Sequence, residues 1–273
     1  MNRILALAHI TFLNGLRRNA VWGLCVFALL CELFGILFMD FFGHDLGRVI
    51  SDFQFSIMFI AGMIFILFYA VQAIAWDEDH RSIDSILARP ISRAEYVLGT
   101  VAGLSLLLLC FEILLGGLAI AELLWARSLV GEAYFPVFSG MHFWVAWGGL
   151  QLILLVHLAV AMLISAVIRG AFPVMLITLA YSLICSGLPV VRASMSQAHG
   201  GNASDQGMVT VLQGMGMLFP DFGRLDLKDA VLSHEGIEAL IGMQAWLPFS
   251  MIVLYMVLIL FLACLIYQRR DIL

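Results

Sequence analysis

Three features of the sequence predict an all-α integral membrane protein with six transmembrane helices. Of its 273 residues, 63% are hydrophobic and only 12% charged, where a soluble domain of this size carries roughly a quarter charged residues; the mean hydropathy is +1.02. The apolar residues gather into six blocks of membrane-spanning length, which takes about 20 residues. These blocks are continuous, as in Leu104 to Leu109 and Met251 to Leu262, whereas the strands of a transmembrane barrel alternate apolar and polar positions.

Taken in order, residues 2 to 17 place Ile4, Leu5, Ala8, Phe12 and Leu16 on one helical arc and Asn2, Arg3, His9, Asn14 and Arg17 on the other. That division predicts an N-terminal interfacial elbow helix over residues 1–18. The six spans are expected at Ala20 to Phe38, Phe55 to Trp76, Tyr96 to Leu124, Trp144 to Ile168, Pro173 to Val191 and Leu247 to Tyr267. The third is long for an upright crossing, which implies tilt or extension into water. Ser92-Arg93-Ala94-Glu95 is a capping box that starts it, Ser92 accepting from the Glu95 amide while the Glu95 carboxylate reaches back. Residues 192–246 form the longest segment outside the spans. There His199-Gly200-Gly201-Asn202 reads as flexible loop and Leu218-Phe219-Pro220-Asp221 as a turn. Short helices are expected after Asp226 and over Glu235 to Met243.

Basic residues set the orientation. Arg3, Arg17, Arg18, Arg81, Arg89, Arg93, Arg169, Arg269 and Arg270 fall on one side, while the short connections opposite hold only Arg48 and Arg127. Both termini are therefore expected in the cytoplasm, in a cell membrane such as the bacterial inner membrane, with the 192–246 insertion outside. The formal charge of −5 and the scattering of the basic residues exclude a nucleic-acid footprint. All five cysteines lie in apolar blocks without a CxxC pair, which favours packing over disulfides. No cleavable signal is expected, because the first long apolar block follows Arg17-Arg18 without a small-residue cleavage site.

One polar segment interrupts the spans. Residues 77–93 carry Asp77, Glu78, Asp79, Arg81 and Asp84 around a short apolar face of Ile83, Ile86 and Leu87. The i, i+3, i+4 recurrence predicts a short amphipathic helix with its acidic residues in the first turn, where the helix dipole favours them. Pro90 stops it and the capping box restarts the chain, so helix, break and helix make an elbow beneath the bilayer. A solvated loop whose charges merely keep it out of lipid is the plainer alternative.

Within the spans, Glu32, Glu112 and His157 are ionisable residues at membrane depth, where a charge costs on the order of 3 kcal/mol. Gln72 and Gln151 accompany them, and Glu122 is expected to reach water near the outer end of its span. Glu112 and His157 could meet as a proton relay or substrate contact, or each could bond a neighbouring helix and nothing more. Gly99 and Gly103 form a GxxxG pair that permits close helix approach. Met208, Met215 and Met217 with His199 and His234 combine soft-metal ligand types, but their spacing fits no recognised site and flexible packing explains them. No metal site is assigned.

The run Arg81-Ser82-Ile83, Ile86-Leu87-Ala88, Arg89-Pro90-Ile91-Ser92-Arg93, then Tyr96-Val97-Leu98-Gly99, resembles the segment between spans two and three in type 2 permeases of ATP-binding-cassette (ABC) exporters. The resemblance extends more loosely to the elbow helix ending in Arg17-Arg18, the insertion with Phe219-Pro220 and the terminal Arg269-Arg270-Asp271-Ile272-Leu273. Where the family carries Gly-Thr, this chain carries Arg81-Ser82. The resemblance implies one permease domain over residues 1–273 that pairs with a second copy or a homologue. It also implies that residues 77–93 are the coupling helix for a cytoplasmic ATPase. Asp77, Glu78, Arg81, Ile83, Ile86, Leu87, Arg89, Pro90 and Arg93 would make the coupling contacts, with Ile83, Ile86 and Leu87 as the docking knobs. Lys228, the single lysine, follows Leu227, so the chain lacks a G-x-x-x-x-G-K-[ST] phosphate loop. ATP and Mg are accordingly expected on the separate ATPase, with no cofactor on this chain and no enzymatic activity of its own. Membrane lipid is an expected partner and nucleic acid is not. Two other classes stay open, an intramembrane enzyme built on Glu112 and His157 and a scaffold subunit of a membrane complex; HExxH and GxSxG motifs are both absent.

Overall fold

Continuous apolar sequence gives long helices whose backbone groups satisfy one another, which is what a bilayer demands. The computed structural model describes residues 3–37, 46–79, 92–131, 138, 140–198, 219–225, 227 and 246–269, and these contain helices and turns but no strand. Helix α1 spans Arg3–Leu16 and α2 spans Asn19–Leu37, the two bent by 65° at Arg17-Arg18. Helix α3 covers Leu46–Ile64 and runs through a π-helical turn, Phe65–Ala70, into α4, Val71–Asp79. Then come α5, Arg93–Val130, α6, Gly140–Val167, α7, Ala171–Ala198, and α8, Trp246–Arg269. A 3₁₀ turn, Phe222–Arg224, lies between α7 and α8 in sequence.

Five helical stretches are long and apolar enough to cross a membrane, and the bent α1–α2 pair makes up to a sixth. Boundaries moved outward from the expected ones. The α3–α4 span begins at Leu46 rather than Phe55, because Arg48 and Asp52 are accommodated within a helical end that composition alone assigns to a loop. At 38 residues α5 is about 57 Å long, well over the roughly 30 Å hydrocarbon core. Pro189 lies inside α7 without ending it, and the helix continues past Val191 to Ala198. The elbow residues 80–91 and the short helices expected after Asp226 and over Glu235 to Met243 lie outside the described residues.

Helix α6 is the centre of the bundle, with Phe143, Ala146, Leu150, Leu154, Leu158 and Met162 buried at successive turns. It packs against α3, α5, α7 and α8. By contrast α2 exposes Trp22, Val26, Leu30 and Phe34 along one stripe, and α8 exposes Met251, Leu254, Leu258 and Phe261. Apolar surface of that extent is tolerated against lipid or another subunit, not against water. Between α6 and α7 the chain reverses within three residues, and Gly170 makes this possible by adopting φ +98, a conformation that costs other residues a Cβ clash.

The π-helical turn places Phe65, Ile66, Leu67 and Ala70 in the core. Phe65 stacks on Phe111 of α5 at 6.0 Å and meets Tyr69 at 5.1 Å. The GxxxG pair of α5 receives α1 rather than another span. A Cβ on Gly99 would lie 2.6 Å from Leu7 Cβ, and one on Gly103 would lie 2.6 Å from the Ala8 carbonyl and 2.7 Å from Thr11 Cβ. Two hydrogens in place of side chains thus let α1 lie flush along α5, with Leu7 buried between them.

Candidate functional site

The expected capping box is present in full. Ser92 is extended at φ −75, ψ 154, its Oγ accepts from the Glu95 amide at 3.2 Å, and its own amide donates to Glu95 Oε2 at 2.7 Å. These two bonds satisfy orphan amides of the first turn of α5 and fix the direction in which the chain enters it. The next residue turns across the bundle. Arg93 Nη1 donates to the carbonyls of Tyr267 at 3.2 Å and Gln268 at 3.4 Å, the last turn of α8. A guanidinium at a helix C-terminus meets both unpaired carbonyls and the negative end of the dipole.

Tyr267 extends the connection. Its ring lies 6.3 Å from that of Tyr96, and its hydroxyl is 3.3 Å from Ser165 Oγ near the end of α6. Arg18, at the start of α2, sits 5.8 Å above the Trp76 ring at the end of α4, a cation–π contact. Arginine and aromatic side chains therefore tie the start of α5 to the ends of α6 and α8, and the start of α2 to the end of α4. We expect Arg93→Ala to loosen the end of α8. Losing about 1 kcal/mol at the α8 terminus should speed backbone amide exchange of its last turn roughly fivefold; unchanged exchange would show that Arg93 does not hold that helix end.

Of the expected coupling residues, Asp77 and Glu78 lie in the last turn of α4, and Arg93 starts α5. Arg81, Ile83, Ile86, Leu87, Arg89 and Pro90 lie outside the described residues, as do Met208, Met215, Met217, His199 and His234. The two ends of the 77–93 segment thus belong to α4 and α5, which follow one another in the chain.

The ionisable residues singled out within the spans, Glu32, Glu112, Glu122 and His157, are all buried. Glu32 and Glu112 are 0% exposed, His157 1% and Glu122 4%. Glu122 was expected to reach water, but α3 covers it, and it accepts from Gln54 Nε2 at 2.8 Å. Glu32 of α2 is close enough to interact electrostatically with both Glu112 and Glu122. The carboxylate oxygens of Glu32 and Glu112 have no hydrogen-bond donor among the described residues. Glu112 Oε1 faces Gly62, where an added Cβ would lie 2.8 Å away, and its backbone carbonyl accepts from Trp147 Nε1 at 3.2 Å. Gln151 is buried and Gln72 exposed.

His157 sits elsewhere. Its Nδ1 pairs with the Ile153 carbonyl at 2.8 Å, and its ring lies 6.3 Å from Phe59, 5.6 Å from Tyr181 and 5.2 Å from Phe222. Nε2 has no partner among the described residues, so no hydrogen bond joins His157 to Glu112. This aromatic surround was not legible in the sequence, because Phe222 comes from a turn 65 residues further along the chain. No group of three or more His, Cys, Asp or Glu side chains able to hold a metal ion occurs among the described residues.

Membrane-length helices with an apolar exterior define a multi-pass membrane protein. The chain belongs to the ABC-2 transporter family: the family model described as ABC-2 family transporter protein matches residues 36–272. That family comprises membrane-spanning permease subunits of ABC transporters, which are not themselves catalytic and which work with an ATPase. No curated protein matches the chain in sequence.

Proposed function

We propose that this chain is the permease subunit of an ATP-driven ABC exporter. It has six spans, α2 being the first, and α1 lies in the inner membrane interface as an elbow. Both termini are cytoplasmic, the membrane is a bacterial inner membrane, and two copies, or one copy and a homologue, form the working permease within surrounding lipid. A separate ATPase binds ATP and Mg and grips residues 77–93; this chain holds no cofactor. Cargo leaves through a pathway between the paired permeases, gated on the outer side by residues 192–246.

The observation that supports this most is the way the 77–93 segment is anchored. It leaves α4 at Asp79 and re-enters at α5 through the capping box, and the first residue of α5, Arg93, is bonded to the end of α8. Force on the segment therefore reaches α4, α5 and α8 together, as a rigid-body switch requires. The intramembrane-enzyme alternative gains nothing from the geometry, since Glu112 and His157 share no hydrogen bond.

Two measurements test the reading. Affinity purification from native membranes should recover an ATPase with a phosphate-binding loop. A cysteine introduced at Ser82 should react with an impermeant maleimide only in inside-out vesicles. Labelling of Ser82→Cys in intact cells would place the segment on the wrong side of the membrane and end the proposal.

A further inference from the structure

A cavity of about 450 Å³ lies in the half of the bundle opposite Arg93. Phe59 of α3, Leu150 and Ile153 of α6 and Pro189 of α7 wall it, and Phe222 and Leu225 roof it. The roof is a built element. Asp221 Oδ1 accepts from the Gly223 amide at 3.2 Å and closes the 3₁₀ turn, and Leu225 is 1% exposed. The turn rests directly on the backbone of α6, where a Cβ on Gly149 would lie 2.7 Å from the Leu225 carbonyl.

Its chemistry is selective. Ser56 and Ser186 are the hydroxyl-bearing residues of the lining, and Ser56 Oγ already donates to the Asp52 carbonyl at 2.7 Å. Among the described residues the lining is mainly apolar, and each polar group that enters without a partner costs about 1–3 kcal/mol. An apolar group of drug size fits both the volume and the lining. The rim points to the source, because Ile60 and Val190 line the cavity and are also exposed, at 56% and 68%. Both would face the bilayer interior. One polar handle stands behind the wall: His157 Nε2, buried and without a hydrogen-bond partner among the described residues, in a ring box that shares Phe59 and Phe222 with the cavity.

We infer that this cavity binds the apolar tail of an amphiphile, an acyl chain entering sideways from the membrane between α3 and α7, with the 219–225 turn as its lid. The inference rests on the permease reading and names its cargo chemistry.

The test uses the full chain in lipid nanodiscs doped with a phosphatidylcholine that carries a mid-chain diazirine. Photolysis and peptide mapping should place a concentrated label on 55–60, 146–153 and 189–190. Excess oleate should lower that label at least fivefold while leaving label on the exposed stripe of α8 unchanged. Ser186→Trp, which fills the cavity from an exposed position on α7, should lower it similarly, and Leu183→Trp, exposed on the same helix, should not. Label spread evenly over exposed helices and indifferent to oleate would mean annular lipid only and would overturn the inference. So would chain-to-chain crosslinks that show a second copy seated in the cavity. Since binding is read on the permease alone, a negative result leaves ATPase association untouched, and failure to recover an ATPase leaves the labelling result standing.

Discussion

Replacing Ile83 and Leu87 together by aspartate is expected to abolish co-purification of the partner ATPase. Their spacing of four would set them side by side on the apolar face expected for the 77–93 segment. A docking knob of this kind contributes about 2 kcal/mol when it fills a pocket, and an aspartate there adds the cost of desolvating a charge with no partner. Two such losses amount to about 4 kcal/mol, or roughly three orders of magnitude in affinity. Asp84→Asn, on the polar face, serves as the control and should leave association within a few-fold. The readout is the ATPase recovered per permease after mild detergent extraction. Undiminished recovery with Ile83→Asp and Leu87→Asp would place the docking surface elsewhere.

The second large effect is expected at Gly103. Valine there must put a Cβ where the Ala8 carbonyl and Thr11 Cβ now sit, at 2.6 and 2.7 Å. Backbone cannot yield as a side-chain tip can, so α1 must lift away from α5. Overpacking of a fitted contact costs about 1–3 kcal/mol, and lifting α1 also uncovers Leu7 and the Gly15 contact with Leu107. Gly103→Val should therefore lower the thermal midpoint in detergent and open the α1–α2 junction to protease, with Gly103→Ala intermediate. Gly117 is the control, since nothing lies within 4 Å of an added Cβ there. Equal stability of Gly103→Val and Gly117→Val would show that α1 is not seated on α5 in the membrane.

Several features could be read without coordinates because their cause is local. The capping box needs only Ser92 and Glu95 three residues apart, and both of its bonds form. The spans follow from apolar length. Gly99 and Gly103 were recognised as a packing pair because a GxxxG spacing puts both on one helix face. Other features depend on residues far apart in sequence. Arg93 was grouped with the coupling residues, and its bonds to Tyr267 and Gln268 join positions 174 and 175 residues apart. Glu122 was placed near water, whereas Gln54 of another helix covers and bonds it. The sequence allows His157 to meet Glu112, but His157 is surrounded by Phe59, Tyr181 and Phe222 from three separate elements.

By itself the sequence determined that this chain enters a membrane, where the apolar centre of each span lies, and which polar segment stands apart. Those properties depend on hydropathy and on hydrogen bonds within a single turn. Only the tertiary structure decided which helix the glycine pair receives, which helix end Arg93 binds and that a cavity lies beneath the 219–225 turn. Interhelical contacts depend on which faces meet, and in so uniformly apolar a chain nearly every face is chemically eligible.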